Sequence, residues 1–327
     1  TAVGQNSLYS NTTASDNTSV GAGSLYANTT GSNNAAIGRQ ALVANTTGGS
    51  NVAIGRLALK SNISANLNTA VGDCALQANT TASDNAAFGA YALRQNTTGA
   101  NNLAVGKNSS LNNTTGANNT ALGYNSLFSN TTGHSNVVVG KDAGKAISDG
   151  DGNVIVGALG ADNLTTGCYN TYLGSETSPS AVGILFESVI GRSGTGKGSG
   201  TFFSASSANG VFNTANATAW SQTSDRRIKK NIVNNNEGLD KINQIQVRDF
   251  EYRNKTEVTD FENAEAAYVD KSGVQIGVIA QEIEAIFPEM VTTQSTGVKT
   301  FNPEKLTFYL INAIKELKER IETLENK

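Results

Sequence analysis

A nucleophile and two candidate bases stand close together in one short segment of this chain. Residues 223–232 read Thr-Ser-Asp-Arg-Arg-Ile-Lys-Lys-Asn-Ile. The Ser224 hydroxyl becomes a nucleophile if a neutral lysine accepts its proton, and burial favours the neutral form of a lysine. Lys229 lies five residues on, within reach across a turn or a kinked strand, and Lys230 is an alternative base because it is adjacent and chemically equivalent. By itself the pair is weak evidence, since an exposed Ser near an exposed Lys is the ordinary case.

Other kinds of active site find little support in the sequence. His134 is far from Ser224 in the chain, and no local argument makes the two residues partners. Cys74 and Cys168 occupy different positions of the repeat described below, which argues against a disulfide and a metal site. The net charge of −3 is too small to indicate a nucleic-acid partner, and no run of about 18 apolar residues predicts membrane insertion. We therefore expect no cofactor, no metal, no nucleic acid and no membrane insertion.

The dominant feature of the sequence is a glycine at every seventeenth position. The series is Gly4, Gly21, Gly38, Gly55, Gly72, Gly89, Gly106, Gly123, Gly140, Gly157, Gly174 and Gly191. A strict period of this length is typical of a stacked array in which each unit contacts only its neighbours. An α-solenoid is excluded because 17 residues cannot form two helices and two turns. The sequence therefore predicts a β-solenoid of 17-residue coils.

Three further positions repeat with the glycine. An apolar residue precedes each glycine, a leucine follows most of them by four residues, and asparagines recur in two ladders, Asn11 to Asn130 and Asn17 to Asn170. We expect a strand of about five residues in each coil, with alternate side chains inside and small residues fitting a narrow core. Glycine permits the positive φ of a tight turn, asparagine tolerates it, and stacked asparagine side chains can bond from coil to coil.

A single thin roll of this kind buries little apolar surface. Two or three apolar side chains per coil must offset the conformational entropy lost by 17 residues. Association of several chains would supply more burial, and we therefore expect a homotrimeric rod.

The repeats resemble the β-roll heads of trimeric autotransporter adhesins, which carry Asn-x-Ala-Ile-Gly cores. The matching segments are residues 34–38, Asn-Ala-Ala-Ile-Gly, and residues 51–55, Asn-Val-Ala-Ile-Gly. The period is longer here than in the best-known adhesin heads. Similar Asn-Thr-Ala-Val-Gly arrays occur in phage tail fibres and bacterial surface proteins, so the resemblance implies a fibre shaft. The Asn-Thr-Thr triplets are interpreted as turn residues rather than glycosylation sites.

Composition divides the chain into three parts. Residues 1–192 contain 8 Lys and Arg and 9 Asp and Glu, whereas residues 224–327 contain 15 and 18. We predict a solenoid shaft over residues 1–192, a stem or connector over 193–223, and a small α+β domain over 224–327. The connector is rich in Gly and Ser but also contains Phe202, Phe203, Phe212 and Trp220. These aromatic residues favour a short β-stem in which they pack between chains, the alternative being a flexible connector.

Three blocks of the last part resemble the endosialidase-type intramolecular chaperone domain. They are residues 223–232, residues 275–291 with the sequence Gln-Ile-Gly-Val-Ile-Ala-Gln-Glu-Ile-Glu-Ala-Ile-Phe-Pro-Glu-Met-Val, and residues 306–317. The resemblance implies a domain that trimerises, guides folding of the upstream fibre and then cuts itself off. By motif position it implies a Ser224–Lys229 dyad that acts once, without a cofactor, and a cut between Ser224 and Asp225. Arg226 and Arg227 would either pair with carboxylates between chains or remain solvated.

The final helix has a heptad seam. Its members are Leu310, Ile314, Leu317, Ile321 and Leu324. Charged neighbours complete the pattern of a coiled coil, although Ile at a with Leu at d would by itself favour a dimer. The expectation of a trimer therefore depends on the resemblance to the chaperone family and on the small apolar burial of a single rod, and an amphipathic helix packed within one chain is the alternative.

Together these features predict a homotrimeric fibre of a phage virion. The chain begins within a repeat at Thr1 and has Met290 as its single methionine, which indicates a C-terminal piece of a longer protein. The receptor would be a host cell-surface glycan or protein, and uniform polar repeats do not identify it. The alternative is an adhesin on a bacterial surface, whose last domain is a trimerisation cap that is never cut.

Overall fold

The structure is a computed structural model that describes residues 1–206, 209–213, 226, 229–258, 269, 271–294 and 297–326. The chain divides into two compact units, Thr1–Ser224 and Asp225–Lys327. The first unit is a β-solenoid of about twelve turns with a 17-residue period, as the glycine spacing predicts.

The strands of the described solenoid form one sheet in chain order. Neighbouring strands pair in parallel with a register of 17 residues, so that Ala36 pairs with Ala53 and Ala53 with Ala70. Each coil has a strand of three residues, shorter than the five expected, because the chain turns at the glycine that follows. The strands are β1 (Ala2–Val3), β2 (Thr18–Val20), β3 (Ala35–Ile37), β4 (Val52–Ile54), β5 (Thr69–Val71), β6 (Ala86–Phe88), β7 (Leu103–Val105), β8 (Thr120–Leu122), β9 (Val137–Val139), β10 (Val154–Val156), β11 (Thr171–Leu173), β12 (Ser188–Arg192), β13 (Phe202–Ser206) and β14 (Asn209–Asn213).

The core of a coil is narrow and consists of small residues and one leucine. In the third coil these are Ala36 at the centre of β3, Ala41 and Leu42, all fully buried. Leu42 adopts a positive φ of 52°, and leucines at the same position of other coils do likewise. This was not anticipated, because a left-handed conformation is unfavourable for leucine. The glycine is also held at positive φ, as expected, and it lies against the backbone of the next coil.

The first and last residues of the strands point away from this core and form what we call the outer strand face. Eight of its apolar members are 36–56% exposed. They include Val3, Ile37, Ile54, Phe88, Val137, Val154, Val156 and Ile190. The apolar residue before each glycine thus lies outside the core of its own chain.

The asparagine ladders are buried and hydrogen-bonded from coil to coil, as predicted. In the first ladder, Asn45 Nδ2 donates to Asn28 Oδ1 at 2.8 Å, and Asn62 Nδ2 donates to Asn45 Oδ1 at 2.8 Å. In the second ladder, the backbone N of Asn51 donates to Asn34 Oδ1 at 3.0 Å. These asparagines do not adopt positive φ, so their role is hydrogen bonding rather than turn formation.

Replacing one rung of the first ladder should destabilise the rod markedly. Asn79 Nδ2 donates to Asn62 Oδ1 at 3.1 Å and to the Ala82 carbonyl at 2.9 Å, and Asn79 Oδ1 accepts from Asn96 Nδ2 at 3.0 Å. Asn79→Ala leaves these buried groups unpaired, and we expect a loss of about 2–4 kcal/mol in the free energy of unfolding. The measurement is urea denaturation followed by circular dichroism at equal protein concentrations. The control is the exposed Asn66, whose replacement by Ala should cost below about 1 kcal/mol; equal losses would contradict the prediction.

The core changes its composition toward the end of the array. The strand centres become larger at Val138, Ile155 and Tyr172, while the leucine position becomes Gly144 and Ala161. The exchange keeps the core filled, since a Cβ on Gly144 would lie 3.1 Å from Ile155 Cδ1.

A buried glutamate ends the second asparagine ladder. Glu187 occupies the next ladder position after Asn170 and is fully buried. Its carboxylate accepts hydrogen bonds from Tyr172 Oη at 2.8 Å, from Ser180 N at 3.1 Å and from Gly198 N at 2.9 Å. Burial, followed by the charge of Glu187, raises the pKa of Tyr172. The carboxylate thereby fixes the loop that leaves the last regular coil.

The sheet continues beyond residue 192, within the predicted stem. Strand β13 pairs in parallel with β12, and β14 returns antiparallel to β13. Phe203 is buried in the solenoid core, and Phe212 packs against it from β14. These two aromatic residues therefore pack within their own chain, because the sheet offers them a core. Packing of the stem between chains stays a prediction. Trp220 lies outside the described residues.

The second unit contains short strands and helices. The helices among its described residues are α1 (Leu239–Ile242), α2 (Ala280–Ile286) and α3 (Leu306–Glu325), with 3-10 turns at Pro288–Met290 and Pro303–Lys305. Strands β15 (Arg248–Phe250) and β16 (Gln275–Gly277) form one antiparallel pair, and β17 (Val291–Thr293) and β18 (Lys299–Phe301) form another. Ile283, Phe287 and Met290 form its buried core.

Candidate functional site

The segment that carries the predicted dyad is only partly described. Ser224 and Asp225 lie outside the described residues, as do Arg227 and Ile228. Lys229 is exposed, and its backbone N donates to the Arg226 carbonyl at 3.2 Å. Lys230, the alternative base, is exposed as well. The distance between the Ser224 hydroxyl and either lysine therefore stays untested.

The chain that follows this segment is attached to the middle of α3. Asn312 Nδ2 donates to the carbonyls of Asn235 at 2.8 Å and Glu237 at 3.0 Å, and the Leu239 N donates to Glu316 Oε2 at 3.2 Å. These partners are 75–77 residues apart in the sequence. The attachment means that a displacement of α3 would be transmitted to the residues just after the candidate cleavage segment.

A glycine makes this attachment possible. A Cβ on Gly238 would lie 2.6 Å from the Ala313 N and 2.7 Å from Glu316 Oε1. Any larger residue would push α1 away from α3. Sequence reasoning did not identify Gly238, Asn312 or Glu316, because none belongs to a motif with chemical meaning.

The second resembling block forms the core of the unit. Ile283 of α2 and the adjacent Phe287 are buried, and the Phe287 ring contacts the Tyr309 ring of α3 at 4.7 Å between centroids. Arg248 of β15 donates to Glu282 of α2 at 3.0 Å across the surface. The strand and helix of residues 275–291 are thus present, and they pack against the helix of the third block.

Charged and aromatic groups surround this contact. Lys241 Nζ lies 5.3 Å from the Phe287 ring centroid and 5.8 Å from that of Tyr309. Its hydrogen bond to Glu237 raises the pKa of Lys241. Burial, followed by the charge of Glu289, raises the pKa of Tyr309, whose hydroxyl donates to Glu289 at 3.2 Å. These groups stabilise the junction of α1, α2 and α3 and do not resemble a base beside a nucleophile.

The heptad seam of α3 is exposed along its whole length. Leu310 is 42% exposed, Ile314 65%, Leu317 44%, Ile321 53% and Leu324 69%. Phe308 and Ile311 of the same helix are also exposed, at 65% and 44%. Ala313, beside the seam, is the buried residue of the helix among those described. The predicted helix is therefore present, and its apolar face is not covered by the described part of its own chain.

Part of the second unit matches a known protein family. Residues 224–292 match the family model of the chaperone of endosialidase. The matched segment begins at Ser224 and includes the first two sequence blocks, while α3 follows it. No curated protein and no solved structure matched the chain. The endosialidase-chaperone segment and the preceding β-solenoid together confirm the resemblance drawn from the sequence.

The remaining candidate groups show ordinary structural contacts. His134 Nδ1 accepts from the Ala117 N at 3.0 Å, in a series of such bonds between coils. Cys74 is buried and Cys168 partly exposed, and both are free thiols. In the described ranges, no group of three or more His, Cys, Asp or Glu side chains could hold a metal ion. No helix among the described residues is long and apolar enough to cross a membrane.

Proposed function

We propose that this chain forms a homotrimeric fibre of the phage tail-fibre type. Its solenoid serves as the shaft, and its second unit brings three chains together, guides their folding and then separates by self-cleavage. The exposed apolar face of α3 carries the proposal, in combination with the endosialidase-chaperone match. A fibre of this type would belong to the virion and would bind a host surface glycan or protein.

The need for association follows from the distribution of apolar side chains in the second unit. Among the described residues of this unit, five apolar side chains are buried, Leu239, Ile283, Phe287, Met290 and Ala313, whereas the seam of α3 alone exposes five large ones, Leu310, Ile314, Leu317, Ile321 and Leu324. A contiguous apolar surface of this kind marks an interaction site in a soluble protein. Seam residues at spacings of four and three are suited to parallel copies of the same helix.

The cleavage chemistry requires Lys229 to be neutral when it acts. In that state it takes the proton of the Ser224 hydroxyl, whose oxygen attacks the carbonyl carbon of the Ser224–Asp225 peptide bond. The C–N bond then breaks, Lys229 passes the proton to the leaving amine of Asp225, and the acyl group remains as an ester of the serine oxygen. Water then hydrolyses the ester, and the products are residues 1–224 and 225–327. Because Lys229 is exposed in the single chain, its desolvation has to come from neighbouring copies. This supports an order in which association precedes the cut.

A charge in the seam of α3 should prevent trimer formation. Ile314→Asp would bury one carboxylate per chain in the assembled helices, at about 2 kcal/mol or more for each chain. Because Ile314 is 65% exposed in the single chain, the substitution leaves the core of the chain intact. We expect the wild-type protein to have the mass of three chains by light scattering and Ile314→Asp to lose that species.

The matched control changes the neighbouring residue on the same helix. Lys315→Asp introduces the same carboxylate at an exposed position outside the seam and should leave the trimer unchanged. Trimers of equal stability for Ile314→Asp and Lys315→Asp would exclude α3 as the interface. A wild-type protein with the mass of one chain would refute the trimer itself.

A further inference from the structure

The basic side chains of the shaft are concentrated at a few positions of the coil. In the seven coils that begin at Gly38 and end with the coil of Gly140, all seven Lys and Arg lie one or five residues after the repeat glycine, as Arg56 and Lys60 do after Gly55. We call the positions one, two and five residues after the glycine in these coils the basic edge. It contains seven basic and two acidic residues, a net charge of +5, although the whole chain has a net charge of −3.

Contacts within the basic edge show that its three positions face the same side of the coil. Lys141 and Lys145 both approach the carboxylate of Asp142, at 4.0 and 3.8 Å. In another coil, the Arg94 guanidinium lies over the Tyr91 ring, 5.4 Å from its centroid. Successive coils are about 4.8 Å apart, so the basic edge is a straight row about 29 Å long.

Four of the seven basic side chains are available to a partner. The two acidic members are already paired within the edge, Asp73 with Arg56 at 2.9 Å and Asp142 with two lysines. The remaining acidic residues of these coils lie on another part of the coil, nine to twelve residues after the glycine. The four basic residues that are exposed and form no ion pair with the described part of the chain are Arg39, Lys60, Arg94 and Lys107.

Aromatic rings lie among these cations. Tyr124 follows Gly123 directly and is 45% exposed, and Tyr91 and Phe128 are partly exposed at neighbouring positions of the edge. An exposed aromatic ring offers a flat apolar surface, and a tyrosine adds a hydroxyl that forms hydrogen bonds. The edge therefore combines free positive charge with flat apolar surfaces.

We infer that the basic edge binds a linear acidic polysaccharide. Its carboxylates accept charge-assisted hydrogen bonds from the free Lys and Arg side chains, and its sugar rings pack against Tyr124 and the neighbouring aromatic rings. A straight row of equal steps suits a polymer of equal units. The inference rests on the proposed binding of a host-surface glycan and specifies the chemistry of that glycan.

Other anionic polymers fit the basic edge less well. A DNA duplex carries about one charge per 1.7 Å, or about 17 charges over this length, which a net charge of +5 neutralises only in small part. A polysaccharide with one carboxylate per sugar has a much lower charge density. An acidic peptide matches the charge but has no sugar rings to pack against the aromatic side chains.

Calorimetric titration of the full-length protein with short fragments of polygalacturonate tests the inference. This polymer has one carboxylate per sugar, and dextran fragments of equal length are its uncharged counterpart. We expect polygalacturonate to bind, with an affinity that falls as salt is raised, and dextran not to bind. Polyglutamate and duplex DNA should each bind at least about fivefold more weakly than polygalacturonate, because neither uses the aromatic rings of the edge.

Two variants of equal charge test whether the basic edge is the binding surface. Replacing Lys60, Arg94 and Lys107 together by Gln should weaken the binding of polygalacturonate by about tenfold or more. The control introduces Glu at three exposed threonines nine residues after a repeat glycine, and it should change the affinity by no more than about twofold. Circular dichroism checks that both variants are folded. The control positions are Thr47, Thr81 and Thr115.

The aromatic part of the surface has its own test. Tyr124→Ser keeps the charge of the edge and should weaken the binding of polygalacturonate by about fivefold. The same variant should bind polyglutamate as the wild type does, since a peptide does not use the ring.

Four results would overturn the inference. They are no binding of polygalacturonate, equal binding of dextran, tighter binding of polyglutamate or DNA, and equal losses of affinity in the two triple variants. Light scattering on the same samples separates such a failure from a failure of the proposed fibre. A protein with the mass of three chains that does not bind polygalacturonate would keep the proposed trimer, and binding by single chains would keep the inference without the trimer.

Discussion

Ser224→Ala is expected to leave the chain whole when the wild-type protein is cut. Without the hydroxyl no ester can form, and loss of a nucleophile of this kind lowers the rate by at least about 10⁴-fold. Intact mass under denaturing conditions measures the outcome. The wild type should give residues 1–224 and 225–327, and the variant should give the full chain of 33.9 kDa.

Replacing each of the two adjacent lysines in turn tests which of them is the base. Lys229→Met should abolish the cut, whereas Lys230→Met, a change of the same kind one residue on, should leave it largely intact. The reverse result would transfer the role of base to Lys230. A wild-type chain that stays whole as a trimer would make the second unit a permanent cap, and the proposal of self-cleavage would be wrong.

The second large effect is expected at a repeat glycine in the middle of the shaft. Gly89 has a φ of +137°, and a Cβ there would lie 2.6 Å from the Gly106 carbonyl oxygen and 2.7 Å from its carbon. Gly89→Ala combines a strained backbone with a clash against backbone that cannot move alone. We expect a loss of about 2–6 kcal/mol in the free energy of unfolding. Because coils contact only their neighbours, the array should also unfold less cooperatively.

Gly23 is a matched control for this substitution. It also has a positive φ, +67°, but a Cβ there would meet Gln40 Cγ at 3.6 Å, an ordinary contact. Other coils have Gln40 and Leu57 at this position with positive φ. Gly23→Ala should therefore cost no more than about 1–2 kcal/mol. Equal losses for the two variants in urea denaturation would mean that the packing of coil on coil tolerates a side chain at Gly89.

The periodic part of the fold could be predicted because each coil repeats the same physical solution. The position of Gly89 recurs because the turn requires a positive φ. The position of Asn79 recurs because its side chain belongs to a buried hydrogen-bond ladder. The conformation of Leu42 could not be predicted, because the coil imposes a left-handed φ against the preference of leucine. The end of the array also escaped prediction, since the contacts of Glu187 occur once and leave no periodic signal.

The candidate site was predicted from motif position rather than from geometry. The block beginning at Ser224 and the block around Phe287 were enough to indicate the family. The attachment of Asn235 and Leu239 to α3 was missed, because it joins residues more than 70 positions apart through single hydrogen bonds. Whether Lys229 can act on Ser224 depends on the desolvation of the lysine side chain. The spacing of the two residues in the sequence does not determine that desolvation.

Because the coils share a uniform register, the number of repeats sets the length of the shaft. Each repeat adds one strand spacing, about 4.8 Å, and in the regular coils its strand pairs with the strands before and after it in the same 17-residue register. A gene that gains or loses 51 base pairs in phase would thus change the reach of the fibre by one step and preserve every ladder. An insertion that is not a multiple of 51 base pairs would misalign the repeat glycines and both asparagine ladders at once. The length of the solenoid can therefore change in whole coils without a change in the second unit.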